Sequence, residues 1–197
     1  MKKRIFAALL SALVLLTASG CGAARKPDDG RLQVVCSLFP YYDFVRAIGG
    51  EYVVPTLQIP AGRETHSFEP TPLDVIEVAE ADVFIYNGGE GEFWVSEILG
   101  AAGENISEVV CMMDHIDALE EEIVEGMQGH DHHDHGHDHD HEADEHHHEI
   151  TYDEHIWTSP VGAKELCRAI CEALCRADSA LADAYRSNLD AYLAELD

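Results

Sequence analysis

Thirteen histidines are distributed very unevenly along this chain of 197 residues. Ten of them fall in one run at 129–149, GHDHHDHGHDHDHEADEHHHE: His130, His132, His133, His135, His137, His139, His141, His146, His147 and His148. Imidazole and carboxylate are ligands of Zn²⁺, and neutral imidazole binds it at about 2.0–2.1 Å. The run therefore reads as a metal-binding low-complexity segment. It offers many overlapping sites and no fixed geometry. Ordering a flexible chain around an ion costs conformational entropy, so moderate affinity and rapid exchange are expected of it.

Two isolated histidines carry a different signal. His66 stands in ETHSFEPTPLD and His155 in YDEHIWTSP. Taken singly, each reads as a surface or packing histidine. Both, however, lie just before a helix start, and ligands of open parallel sheets bind at loops beyond the carboxyl ends of the strands. That shared placement makes them candidates for one site. His115, in MMDHID, lacks the context and is read as an ordinary surface histidine. Asp153, Glu154 and Glu64 read as solvated groups or as supports around a metal ligand. No nucleophile–base pair and no phosphate-cradling glycine loop stands out, so no bond chemistry is expected and the chain is not read as an enzyme.

The elements that must position these residues alternate between strand and helix. LQVVCSLF is a continuous apolar run with β-branched residues, which fits a buried strand. YYDFVRAIGG follows as a helix ended by a glycine pair. YVVPTLQI is a second strand, and Pro55 within it predicts an edge position or a bulge. In TPLDVIEVAEA, Thr71 is an N-cap, Pro72 suits the first helical position and Asp74 supplies a first-turn acid. DVFIYNG and ISEVVCMM are the third and fourth strands, with a helix over GEFWVSEILGAA between them. The pattern predicts an α/β fold: a four-stranded parallel sheet flanked by helices on both faces. After the His run, Ser159-Pro160 opens a helix through about Arg176. A last helix is expected from Asp178 to the final residue, with Leu181, Tyr185, Leu189, Tyr192 and Leu196 on one face.

The formal net charge of −26 excludes nucleic acid as a partner and favours cations. The first twenty residues have a basic start, an apolar run and small residues before Cys21, which describes an export signal too short for an ordinary transmembrane span. Small residues ending on cysteine resemble a bacterial lipobox. That resemblance implies cleavage before Cys21 and a lipid on its sulfur, so the mature chain is expected outside the cytoplasm, at the cell surface or in the periplasm, tethered to a membrane. Residues 21–31 then form a polar linker. Five further cysteines are present, an odd number that argues against a complete disulfide framework. Cys167, Cys171 and Cys175 recur every four residues and predict a buried helical stripe.

Four stretches together, SLFPYYDFVRAIGG, IPAGRETHSFEPTPLDV, ADVFIYNGGEGEFW and YDEHIWTSP, resemble the zinc/manganese solute-binding lipoproteins of ABC importers, close to the ZnuA-like high-affinity zinc-uptake members. The similarity runs from about Leu32 onward. It implies that His66, in an H-x-F-E-P-T-P motif, and His155, in D-x-H-x-W, are metal ligands, and that the His-rich run is the acidic loop preceding the second motif in zinc-specific members. It implies Zn²⁺ as cargo, Mn²⁺ less so, and an ABC permease with its ATPase as partners. Two departures are minor: Thr65 precedes His66 where some relatives have proline or glutamate, and Ser159 replaces an aspartate that would cap the helix equally well. The larger one concerns the second lobe, from which the family draws its third and fourth ligands. Residues 32–177 correspond to the first lobe and 178–197 to the start of the inter-lobe helix, so the second lobe is expected to be absent. The leading expectation is capture of Zn²⁺ for import. The alternatives are a manganese importer protein and a surface zinc buffer acting through the His-rich run.

Overall fold

A computed structural model describes residues 29–102, 106–117 and 152–196. The export signal, Cys21 and the whole His-rich run at 129–149 lie outside the described residues. Four strands form one parallel sheet: β1 (Leu32–Cys36), β2 (Val53–Leu57), β3 (Val83–Tyr86) and β4 (Glu108–Cys111), in the spatial order β2-β1-β3-β4. Leu32 pairs with Val53, Val34 with Val83, and Val83 with Glu108. β1 and β3 are the inner strands. Val34, Val35, Cys36, Val83, Phe84 and Ile85 are all buried, as an apolar run between two helical layers requires. Pro55 sits on the edge strand, opposite Val34 on β1. An edge tolerates a residue without an N–H, as the sequence predicts.

The helices are α1 (Phe39–Gly49), α2 (Pro72–Ala79), α3 (Val95–Ala102), α4 (Pro160–Ala177) and α5 (Ala182–Glu195). α1, α4 and α5 pack on one another, and α2 packs on α3. The order explains the split. The chain moves outward from β1 to β2, then returns past β1 to β3, and right-handed crossovers in opposite directions place their helices on opposite faces. Several boundaries differ from the sequence expectation; the helix expected over GEFWVSEILGAA begins only at Val95, after a 3₁₀ turn at Glu90–Glu92. Phe39 opens α1 instead of ending β1, because Leu38 is an extended N-cap and Pro40 fits the first turn, where no N–H is needed. Asp178 does not start one continuous last helix. Its carboxylate accepts from the Ala180 N–H at 3.1 Å and caps a 3₁₀ turn, Ser179–Leu181, from which α5 then departs.

Cys167 and Cys171 are buried and Cys175 half-buried on α4, packed as small apolar groups. Burial pushes the Cys167 and Cys171 thiols up to about 12, which leaves them protonated and unreactive at neutral pH. Tyr185 of α5 is fully buried beside Tyr52, and the Asn188 amide donates to the Ile48 carbonyl at 2.9 Å, which docks α5 on α1. Among the described residues no helix is long and apolar enough to cross a membrane.

Candidate metal centre

The parallel ladder continues one residue past β1 and β2. Ser37 N–H donates to the Ile85 carbonyl at 2.9 Å and Gln58 N–H to the Cys36 carbonyl at 2.8 Å. Ser37, Gln58 and Asn87, the residues at these strand ends, are all buried. They form a polar tier at the carboxyl edge, around the point where the strand order reverses between β1 and β3. That is where an open α/β sheet presents its ligand crevice.

The His66 turn is built from apolar anchoring. Phe68 N–H donates to the Thr65 carbonyl at 3.1 Å, which closes a turn with His66 at its second position. Phe68 is buried and meets Trp94 edge-on, with ring centroids 4.8 Å apart. Immediately after it, the Thr71–Asp74 capping box starts α2: Thr71 N–H donates to the Asp74 carboxylate at 2.6 Å, and Asp74 N–H returns to the Thr71 hydroxyl. The His66 ring itself is exposed and rests against Gly91. A β-carbon on Gly91 would lie 3.2 Å from the ring Cε1.

The His155 turn is built from hydrogen bonds. The N–H and hydroxyl of Thr158 both donate to the His155 carbonyl, at 3.1 and 2.8 Å. His155 N–H donates to Asp153 Oδ1 at 2.8 Å, and the ring Nδ1 lies 2.9 Å from the same oxygen. Backbone and ring donation from His155 together hold the Asp153 carboxyl below its ordinary range. A carboxylate only accepts, so Nδ1 carries the proton, which in the neutral ring leaves the lone pair on Nε2. Trp157 packs between the His155 ring and Tyr41, and the Tyr41 hydroxyl donates to Asn87 Oδ1.

One loop touches both turns. It runs from Asn87 through the 3₁₀ turn Glu90–Glu92, and Gly88 and Gly89 take left-handed φ values of 92° and 81° to turn it back. Buried Glu92 organises it, accepting from Asn87 N–H at 2.7 Å and Gly88 N–H at 3.0 Å. Burial raises the Glu92 carboxyl, against the lowering effect of the Ser37 hydroxyl and these amides, and the Glu154 charge raises it further. Asn87 Nδ2 donates to the Glu154 carbonyl at 3.1 Å. His66 and the residue preceding His155 therefore flank the same stretch of backbone. His155 also lines an open cavity of about 570 Å³ with His115, Asp117 and Asp153. His115, read from the sequence as an isolated surface group, is thus placed on the same cavity wall as His155.

Among the described residues no three His, Cys, Asp or Glu side chains converge as a group that could hold a metal ion. This edge of the lobe presents two exposed imidazoles on anchored turns. The supporting residues Asn87 and Glu92 had no signal in the sequence beyond their place after a strand, in YNGGEGE.

The described residues form a parallel α/β lobe whose carboxyl-edge loops present two histidines on anchored turns. The chain belongs to the ZnuA family, the periplasmic component A of zinc-uptake complexes, whose model matches residues 34–197. It is 31% identical over 188 residues to the zinc-binding lipoprotein AdcA of Streptococcus pneumoniae, covering 95% of this chain and 35% of that protein. It is 30% identical over 201 residues to the manganese-binding lipoprotein MntA of Halalkalibacterium halodurans, covering 100% of this chain and 57% of that protein. Among solved structures, the metal-dependent lipoprotein YcdH of Bacillus subtilis superposes with a TM-score of 0.65 at 28% identity, over 84% of this chain and 52% of that one. The chain thus spans between about a third and somewhat over half the length of these relatives.

Proposed function

We propose that this chain captures Zn²⁺ outside the cytoplasm, anchored through a lipid on Cys21, for delivery to an ABC permease and its ATPase. His66 and His155 are the lobe's two metal ligands, and the histidines of the 129–149 run are an auxiliary, rapidly exchanging store. The observation that carries the reading is that two histidines on separate turns flank the single loop after β3 at the carboxyl edge of the sheet, His66 against Gly91 and His155 next to Glu154, whose carbonyl accepts from Asn87. The carrier performs no bond chemistry: its residues bind and release an ion. The likeness to MntA favours Mn²⁺ as a second reading. Manganese prefers oxygen-rich sites, and two imidazoles beside a His-rich run favour zinc.

Calorimetric titration with Zn²⁺ and with Mn²⁺ tests this on the chain, on a form lacking 129–149, and on His66→Ala/His155→Ala. The chain is expected to bind several zinc ions at pH 7. Deleting the run should remove most of them without altering the fold. The double substitution should remove at most one ion. Protons compete for imidazole, whose unperturbed pKa is about 6.5, so zinc held by the run should leave as pH falls from about 7 to 5. Unchanged stoichiometry after the deletion would sink the role of the run. Zinc that leaves the His66 and His155 ring resonances unmoved would sink the two-histidine site and leave a surface buffer. Preference for Mn²⁺ would overturn zinc as cargo.

A further inference from the structure

Resting on the two-histidine reading above, we propose that Glu154 is the positioning residue of this centre, the latch that sets the separation of His66 and His155. Its main chain and its side chain are both fastened to the loop after β3. The Glu154 carbonyl accepts from Asn87 Nδ2 at 3.1 Å. Its carboxylate accepts from the Glu90 N–H and, at 3.1 Å to each oxygen, from the Gly91 N–H. Backbone N–H bonds to an ionised carboxylate are among the stronger hydrogen bonds a loop can make. The very next residue is His155, whose ring is already oriented by Asp153. His66 lies against the same glycine. A β-carbon at Gly91 would stand 2.6 Å from Glu154 Oε2 and 3.2 Å from His66 Cε1. Gly91 is therefore a spacer that lets the carboxylate and the imidazole close on one backbone segment.

The Glu154 carboxylate ties the His155 turn to this loop, and the His66 ring rests against the same loop at Gly91. His66 is steadied by Phe68 and the start of α2, and His155 by Asp153 and Thr158, each within its own turn. The Glu154 carboxylate reaches Gly91 across 63 residues of sequence. Both its oxygens are engaged by amides, which suits a support better than a ligand.

The test follows the ring resonances of His66 and His155 by NMR during Zn²⁺ titration of the full chain, together with the Glu90 and Gly91 amide protons. Glu154→Ala is expected to weaken zinc binding at the two rings about tenfold or more, in the range seen for residues that orient metal ligands. It should also shift the two amide protons upfield as their acceptor is lost. Glu154→Gln, which keeps one acceptor oxygen, should recover part of the affinity. Gly91→Ala should cause a comparable loss by displacing the carboxylate. Combined with Glu154→Ala it should add less than its single effect, because both changes break the Glu154–Gly91 contact and only the crowding of His66 by the new β-carbon remains. Undiminished affinity in Glu154→Ala with the amide protons moved would overturn the latch, as would fully additive losses. Rings that ignore zinc in the unaltered chain would instead bring down the two-histidine reading, and the latch with it.

Discussion

His66 is held by an apolar contact, with Phe68 buried edge-on against Trp94 and a capping box starting the helix behind it. His155 is held by polar groups: Asp153 below its ring, Thr158 on its carbonyl, and Asn87 and Glu154 tying the preceding residue to the loop after β3. Both rings end up exposed at the same edge of the sheet. The difference teaches where each turn is vulnerable. An apolar anchor belongs to the hydrophobic core, so disturbing it costs global stability. A hydrogen-bonded anchor fixes direction more than stability, because each bond contributes a modest net free energy while setting the angle at which a side chain leaves the backbone.

The largest contrast should come from Phe68→Ala. Truncating a buried phenylalanine costs roughly 3–5 kcal/mol, and urea denaturation should show a loss of that order. A loss under about 1 kcal/mol would mean that the His66 turn is not built on the core. Asn87→Ala should cost less, about 2 kcal/mol, as it strips the Tyr41 hydroxyl and the Glu154 carbonyl of a buried partner. Its larger effect should appear as disorder of the Trp157 and His155 signals, with those of Phe68 and Trp94 unchanged. Equal disturbance of both turns would erase the distinction drawn here.

The smallest effect concerns the loop they share, and it depends on pH. The carboxyl of Glu92 is raised in the folded state, chiefly by burial. A raised group contributes stability that is fully present below its unfolded value, near 4.5, and is lost as pH rises through the folded value. Glu92→Gln keeps an oxygen for the Asn87 and Gly88 amides and has no such loss. The variant should therefore gain stability relative to the unaltered chain as pH rises from about 4 toward 8. A difference in stability that stays flat over that range would show that the burial of Glu92 is not felt electrostatically.

The residues differ in how plainly their roles could be seen in the sequence. Thr71, Pro72 and Asp74, and likewise Ser159 and Pro160, announce helix starts because capping is a contact among neighbours, and the structure forms both caps. Pro55 announces an edge because a missing N–H is a property of the residue itself. The cysteine stripe follows from a period of four on one helix. Glu154 reads as a solvated or supporting acid, and Glu92 as one more charge in a glycine-rich loop. Each acquires its role from partners that the chain must fold to deliver.

What the sequence by itself determined was therefore everything set by local chemistry and periodicity: the alternation of strands and helices, the caps, the edge position of Pro55, and two histidines at loop-to-helix junctions. Only the tertiary structure decided that the loop after β3 would meet both histidine turns, that the His66 ring and the Glu154 carboxylate would both lie against Gly91, and that Glu92 would be buried within that loop. The physical reason is that parallel strands joined by crossovers bring the loops after β2 and β3 and the turn before α4 to one edge. There, hydrogen bonds close across 63 residues of chain, as between Gly91 and Glu154. No periodicity within a short window records such a meeting.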